Sequence, residues 1–245
     1  MALWEAWRPF RRLRFSRLQR WPHQLGLIVL NSLVLRLLFP AAATGIAISV
    51  EHNGWGILQA VPLPSWLAVV MGFVLLDLVI YWQHVFAHRI DWFWKLHRTH
   101  HADTDYDLTT GLRFHPLEII ISMLIKALAI FVLGVPVLAV LVFEIILSGS
   151  AMFNHSNVDL PPRIDRVLRR LIVTPAMHRV HHSVHRIEHD MNYGFFLSLW
   201  DRWFGSYLAA TCDDPRSMPI GLNRFREADN VRLDRLLMIP WRQQP

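Results

Sequence analysis

Cysteine is almost absent. The 245 residues hold one, Cys212, which excludes an internal disulfide and a four-cysteine iron–sulfur cluster. No Gly-x-Gly-x-x-Gly run occurs, so the dinucleotide fingerprint is missing. His-Glu-x-x-His, the zinc-protease signature, is missing too; the residue after His84 is Val85. Asp103-Thr-Asp-Tyr-Asp107 lacks the Gly and distal Glu of a calcium loop, so aspartates in a solvated turn or capping a helix are expected. There is no internal repeat or low-complexity stretch. No cleavable signal peptide is expected, because the start is rich in Arg and Trp and the first apolar run is too long for one.

Apolar residues are abundant. The chain is 53% hydrophobic, with 11 Trp, 14 Phe and a mean hydropathy of +0.27, which points to membrane spans. Net charge is +6 and the sequence pI about 10.2. Residues 1–23 hold six arginines against one glutamate, with Arg8, Arg11, Arg12, Arg14, Arg17 and Arg20 interleaved with aromatics. With no nucleic-acid motif beside it, this reads as an interfacial arm lying flat on an anionic leaflet.

Four spans are expected. Leu25 to Val50 is the first, about 39 Å if wholly helical, and is expected to kink or partly re-enter at Arg36 and Pro40. Trp66 to about Phe86 is the second. Leu117 to Ser150, broken at Gly134-Val-Pro136, reads as a hairpin of two more. The loop from Glu51 to Pro64 has no Lys or Arg, so the Arg-rich start is expected in the cytosol and that loop on the far side.

Three histidine clusters carry the chemistry: His84-Val-Phe-Ala-His88, His97-Arg-Thr-His100-His101 and His178-Arg-Val-His181-His182. At this histidine content about 0.05 copies of His-x-x-His-His are expected by chance, yet there are two. Residues three or four apart on a helix share one face, so each cluster aims several imidazoles one way. Neutral imidazole suits iron, zinc, copper and nickel, and eight rings suit two metals better than one tetrahedral ion. The predicted crossings bring all three clusters to the cytosolic side. Asp77 and Tyr81 fall on the stripe of His84 and His88, where Asp77 could orient a histidine or line a pocket. Glu144 and His155 form a second such stripe; Glu144 either reaches the site or pairs with a neighbour. The third cluster is expected to open a helix running on through His185 and His189.

These residues resemble the fatty acid hydroxylase / sterol desaturase superfamily. The likeness adds Thr110-Gly-Leu-Arg-Phe-His-Pro-Leu-Glu118, Asn154-His-Ser-Asn157, Asn192-Tyr-Gly194 and Leu199-Trp-Asp-Arg-Trp-Phe-Gly205 to the boxes, running from about Asp77 to Tyr207. It implies an all-α integral membrane protein of about four transmembrane helices in two hairpins, with a cytosolic helical cap over a histidine-rich dimetal site. It implies two irons held by His84, His88, His97, His100, His101, His178, His181 and His182, with His155 a ninth ligand. Ala151 stands where some members carry a further histidine, which would leave one metal an open position. His115, Asp77, Tyr81, His185 and Asn192 are expected as further ligands or outer-shell groups, and His189 in the outer shell or at the surface.

The implied activity is dioxygen-dependent hydroxylation or desaturation of a C–H bond in a fatty acyl, sterol or isoprenoid lipid. None of the six glutamates has a histidine three residues on, unlike the Glu-x-x-His of soluble di-iron bundles. Electrons are expected from outside, from a reductase, ferredoxin or cytochrome docking near the basic arm. No nucleic-acid partner is expected. The rival reading is a histidine-rich membrane metal transporter or metal-binding protein; transporters set ionisable residues near the bilayer midplane, whereas these lie at helix ends. The expected divisions are an arm over 1–23, an oxygenase domain over 24–211 and a tail over 212–245 packed on or near the cap. The expected location is the bacterial inner membrane rather than the endoplasmic reticulum.

Overall fold

A computed structural model describes residues 1–242. The helices are α1 (Ala2–Trp7), α2 (Arg17–Leu38), α3 (Ala42–Asn53), α4 (Ile57–Ala60), α5 (Ser65–Arg89), α6 (Asp91–His101), α7 (Pro116–Leu133), α8 (Val137–Asn154), α9 (Pro162–Leu168), α10 (Pro175–His181), α11 (Arg186–His189), α12 (Leu199–Trp203) and α13 (Leu233–Met238). Among the described residues, β pairing is limited to three isolated bridges.

Local chemistry sets the helix ends. Ser16 and Gln19 close a reciprocal capping box at the start of α2. Pro116, Pro162 and Pro175 open α7, α9 and α10, where a missing N–H costs nothing. Gly134 ends α7 at φ +71°, a conformation that favours glycine.

Four stretches are long and apolar enough to cross a membrane: Arg17–Ala60, Ser65–Arg89, Pro116–Leu133 and Val137–Asn154. Their inner faces meet in one core that includes Ala43, Ala47, Leu76, Ile80, Met123, Ile130 and Phe143. Small residues allow close approach: a Cβ on Gly72 would lie 2.9 Å from Val135 and 3.1 Å from Ala139. Outward residues such as Val29, Leu37, Leu128 and Ile145 remain exposed, as a lipid-facing surface requires. The chain is an integral membrane protein.

Gly134, at the apex of the α7–α8 hairpin, packs against Trp55 and Gly56. That apex and the 54–64 loop therefore share one end of the bundle, and the opposite end carries every histidine cluster. The first span is interrupted between Leu38 and Ala42, at the Pro40 where a kink was expected. Two sequence expectations need correction. The helix of the third cluster stops at His181 and does not run on to His189; a turn intervenes before α11. The aspartates at 103, 105 and 107 are buried, not solvated, because Arg20 reaches them from α2. Arg20 lies 2.7 Å from Asp103 and 2.6 Å from Asp107, and Arg113 lies 3.3 Å from Asp103. Burial alone would raise the Asp103 carboxyl, but the two guanidiniums hold it down at about 2. The basic arm is thus partly stitched into the histidine-bearing end of the bundle, with the backbone of Phe10 and Arg11 also bonded to Asn157. At the other end of the chain, α13 packs on Leu27 of α2, and Arg98 donates to the carbonyls of Ile239 and Arg242.

Candidate metal centre

Nine histidines converge at one end of the bundle, in two groups. The first joins His84 and His88 of α5, His97 and His101 of α6, and His181 of α10. The second joins His100, His155, His178 and His182. Within each group, one ring nitrogen per residue lies within 4.8 Å of all the others. The groups adjoin: the rings of His101 and His182 stack 4.5 Å apart.

In the first group, outer acceptors fix the rings. His84 Nδ1 donates to the Tyr193 carbonyl at 2.7 Å, and His181 Nδ1 to that of Met191 at 2.7 Å. His97 Nδ1 meets Glu118 Oε1 at 2.6 Å. Asp190 Oδ1 lies 3.4 Å from His88 Nδ1. A proton held on Nδ1 leaves the Nε2 lone pair free for a metal, the usual arrangement of a ligating histidine. The Nε2 atoms of His84, His88, His97, His101 and His181 are all buried without a hydrogen-bond partner, a state that is costly unless something is bound there.

In the second group the Nε2 atoms face one another. His155 Nε2 lies 3.2 Å from that of His100, 3.1 Å from that of His182 and 3.0 Å from that of His178. His155 Nδ1 is engaged with the Ala151 carbonyl at 2.7 Å, so its Nε2 is a bare acceptor that can take one proton, not three. A tetrahedral ion at ~2.0 Å from each nitrogen would set them about 3.3 Å apart, close to these spacings. The residues present fit two metal ions.

Burial keeps the rings neutral. It lowers His97 and His155 to about 3 and His189 to about 4, and holds His100, His101, His178, His181 and His182 well below the ordinary imidazole value. Neighbouring histidines push the same way, as like charges disfavour protonation.

The supporting residues differ in part from expectation. Asp77 touches no histidine: it accepts from Trp200 Nε1 at 2.8 Å and Leu197 N at 3.1 Å, because the 197–200 turn docks on that face of α5. Tyr81 bonds Ser206 Oγ at 2.8 Å, again outside both groups. Asn192 sits at φ +55° and bonds the backbone of Met177 and Leu208, tying the third cluster to the segment after it. His115 caps α7 through Nδ1 and meets the Leu237 carbonyl through Nε2, so neither nitrogen is left for a metal. His185 lies half-exposed in a separate surface pair with Asp213 at 2.8 Å. His189 is buried, its ring 4.9 Å from His88 and 4.7 Å from His101.

Two carboxylates at the first group, Glu118 and Asp190, had no assigned role in the sequence. The signal for Asp190 is its place beside Asn192-Tyr-Gly194. Asp201 organises that turn by accepting from the backbone N–H of Tyr193 and Gly194; a Cβ at Gly194 would come within 2.6 Å of its carboxylate. Burial raises Asp201 to about 6. The turn so held presents the Tyr193 carbonyl to His84. Glu144 takes the second of its two expected courses and pairs with Lys126 at 2.5 Å.

Below the histidines a cavity of about 280 Å³ opens among the four spans. His84, His97, His100 and His178 line its upper end, together with Ala151. The second group has four histidines against five in the first, and Ala151, where a fifth ring could have stood, faces the cavity.

A family model described as fatty acid hydroxylase matches residues 69–206. Human alkylglycerol monooxygenase is 33% identical over 148 residues, 59% of this chain and 31% of that protein. The ornithine lipid hydroxylase OlsE of Rhizobium tropici is 29% identical over 145 residues, 59% of this chain and 43% of that protein. Lathosterol oxidase of Mus musculus is 27% identical over 155 residues, 63% of this chain and 47% of that protein. The chain thus spans less than half the length of these relatives. No solved structure matches.

Proposed function

Because the chain belongs to the fatty acid hydroxylase family, we propose that it is a membrane oxidoreductase that uses dioxygen to hydroxylate or desaturate a C–H bond of a lipid. The observation carrying this reading is the convergence of nine buried histidines, with free nitrogens turned inward, at the mouth of an apolar cavity between spans.

His84, His88, His97, His101 and His181 would hold one iron, and His100, His155, His178 and His182 the other. When bound, the two irons supply activation of dioxygen and oxidation of the nearby carbon. The protein does the rest. Glu118, Asp190 and the carbonyls of Tyr193 and Met191 orient the imidazoles before any metal arrives. Deep burial keeps the rings unprotonated at neutral pH and excludes water from the reacting carbon. The cavity seats an alkyl or isoprenoid chain beneath both groups and admits it from the bilayer. Electrons come from an external reductase, ferredoxin or cytochrome, with the basic N-terminal arm favouring an acidic carrier. The cap and N-terminus lie in the cytosol, since the 51–64 loop at the other end has no Lys or Arg. All nine rings lie at one end of the bundle rather than at mid-span, which favours an enzyme over a metal transporter.

The test is lipid mass spectrometry of expressing cells grown under isotopically labelled dioxygen. A hydroxylated lipid bearing the label, or a lipid with one new double bond, is expected, and His181→Ala should abolish it without impairing membrane insertion. An unchanged lipid profile in cells whose protein is metal-loaded and supplied with reductant would refute the reading.

A further inference from the structure

The cavity under the histidines is mainly apolar, but one wall is not. Glu118, Ser122 and Lys126 follow at four-residue spacing along α7, and all three line the cavity, as the helical repeat dictates. Glu118 is engaged by His97. One turn deeper, Gln83 of α5 donates through Nε2 to Ser122 Oγ at 3.0 Å. Another turn deeper, Lys126 Nζ lies 2.5 Å from Glu144 Oε1. Lys126 is thus about 12 Å along the helix from Glu118, well inside the apolar bundle.

Polar groups at that depth are expensive and usually functional. Helix pairing explains only part of this set. Lys126 has three N–H donors and Gln83 Nε2 has two; the contacts to Glu144 and Ser122 take one from each. The Lys126 side chain is 9% exposed and that of Glu144 36%, so the carboxylate sits toward the outside of the bundle and the amine toward the cavity. A plain hydrocarbon in the cavity would offer the remaining donors no acceptor, whereas a lipid oxygen would.

Resting on the lipid-oxidising reading above, the geometry points to a subsite for a hydrogen-bond-accepting oxygen. The substrate is a long-chain lipid carrying a hydroxyl, ether or carbonyl oxygen that lodges against Lys126 and the Gln83–Ser122 pair. These three are substrate-positioning residues. They read the lipid; they do not touch the metals.

The test is equilibrium binding of tritiated hexadecan-1-ol and tritiated hexadecane to immobilised, metal-loaded protein in detergent. The wild type should prefer the alcohol by about tenfold or more, the size of a hydrogen bond to a charged donor. Lys126→Met with Glu144→Leu removes both charges together, leaves no orphan, and should bring the preference to within about twofold. Gln83→Leu with Ser122→Ala should lower it several-fold and serves as the test if the first variant does not fold. Equal affinity of the wild type for the two probes, or an unchanged preference in the variants that fold, would overturn the inference. Binding needs no turnover, so the two readings fail separately. A preserved preference without any oxidised lipid counts only against the enzymatic reading; oxidised lipid without a preference counts only against the subsite.

Discussion

Replacing Glu118 by leucine tests how the first histidine group is held. Glu118 Oε1 sits 2.6 Å from His97 Nδ1, and both residues are buried. Leucine removes the acceptor, leaving the His97 N–H unpaired and the ring free to turn its Nε2 away from the centre. The other four rings of the group do not use Glu118. His84 and His181 keep their backbone acceptors, and His88 keeps Asp190 nearby. The loss is therefore that of one outer-shell partner, about 10- to 100-fold in metal affinity, or roughly 1.4 to 2.7 kcal/mol. Titrating a chelator against the loaded protein and counting the metal retained should show one of the two ions leaving about 10- to 100-fold earlier than in the wild type. The second ion should leave at its usual concentration. Glu118→Gln, which keeps an acceptor oxygen, should lie between. If Glu118→Leu releases both ions at wild-type chelator concentrations, Glu118 does not orient His97 and the geometry has been misread.

Arg20→Met should destabilise the protein strongly. It strands Asp103, Asp105 and Asp107 in a buried site with Arg113 as the remaining close cation; breaking such a buried pair costs about 3–5 kcal/mol. For a chain of this length that is about 6–20 °C in Tm, read by thermal unfolding in detergent, and a fall below about 2 °C would contradict the buried network. Acid should destabilise the metal-free protein. The buried histidines have folded-state pKa values below the unfolded value of about 6.5, so the folded state binds fewer protons there. Stability is then full above about pH 6.5 and declines as pH falls through that value toward the folded values. Tm should be lower at pH 5.5 than at 7.5; an equal or higher Tm at 5.5 would show that the rings are not buried neutral.

The convergence of the histidines was legible because they come in local clusters. A three- or four-residue spacing on a helix reports a shared face, and three clusters at helix ends report a common end of the bundle. The four spans were legible because long apolar runs admit few other structures. What escaped the sequence depends on contacts between distant segments. Arg20 and Asp103 are 83 residues apart, and Asp77 and Trp200 are 123 apart; nothing local marks either pair. The aspartates after His101 looked like a solvated turn because their charge was visible and their cation was not. Helical periodicity also overran its range after His182, where His185 continues the stripe in sequence but the chain has already turned.

The central claim is that two separate groups of histidines each hold a metal ion. Its most direct test is metal analysis of purified wild-type protein beside His155→Ala, which removes the ring facing the other three of the second group. Two metal ions per chain are predicted for the wild type and one for the variant, with the first group still loaded. One ion or none in the wild type, or two retained in the variant, would contradict the account.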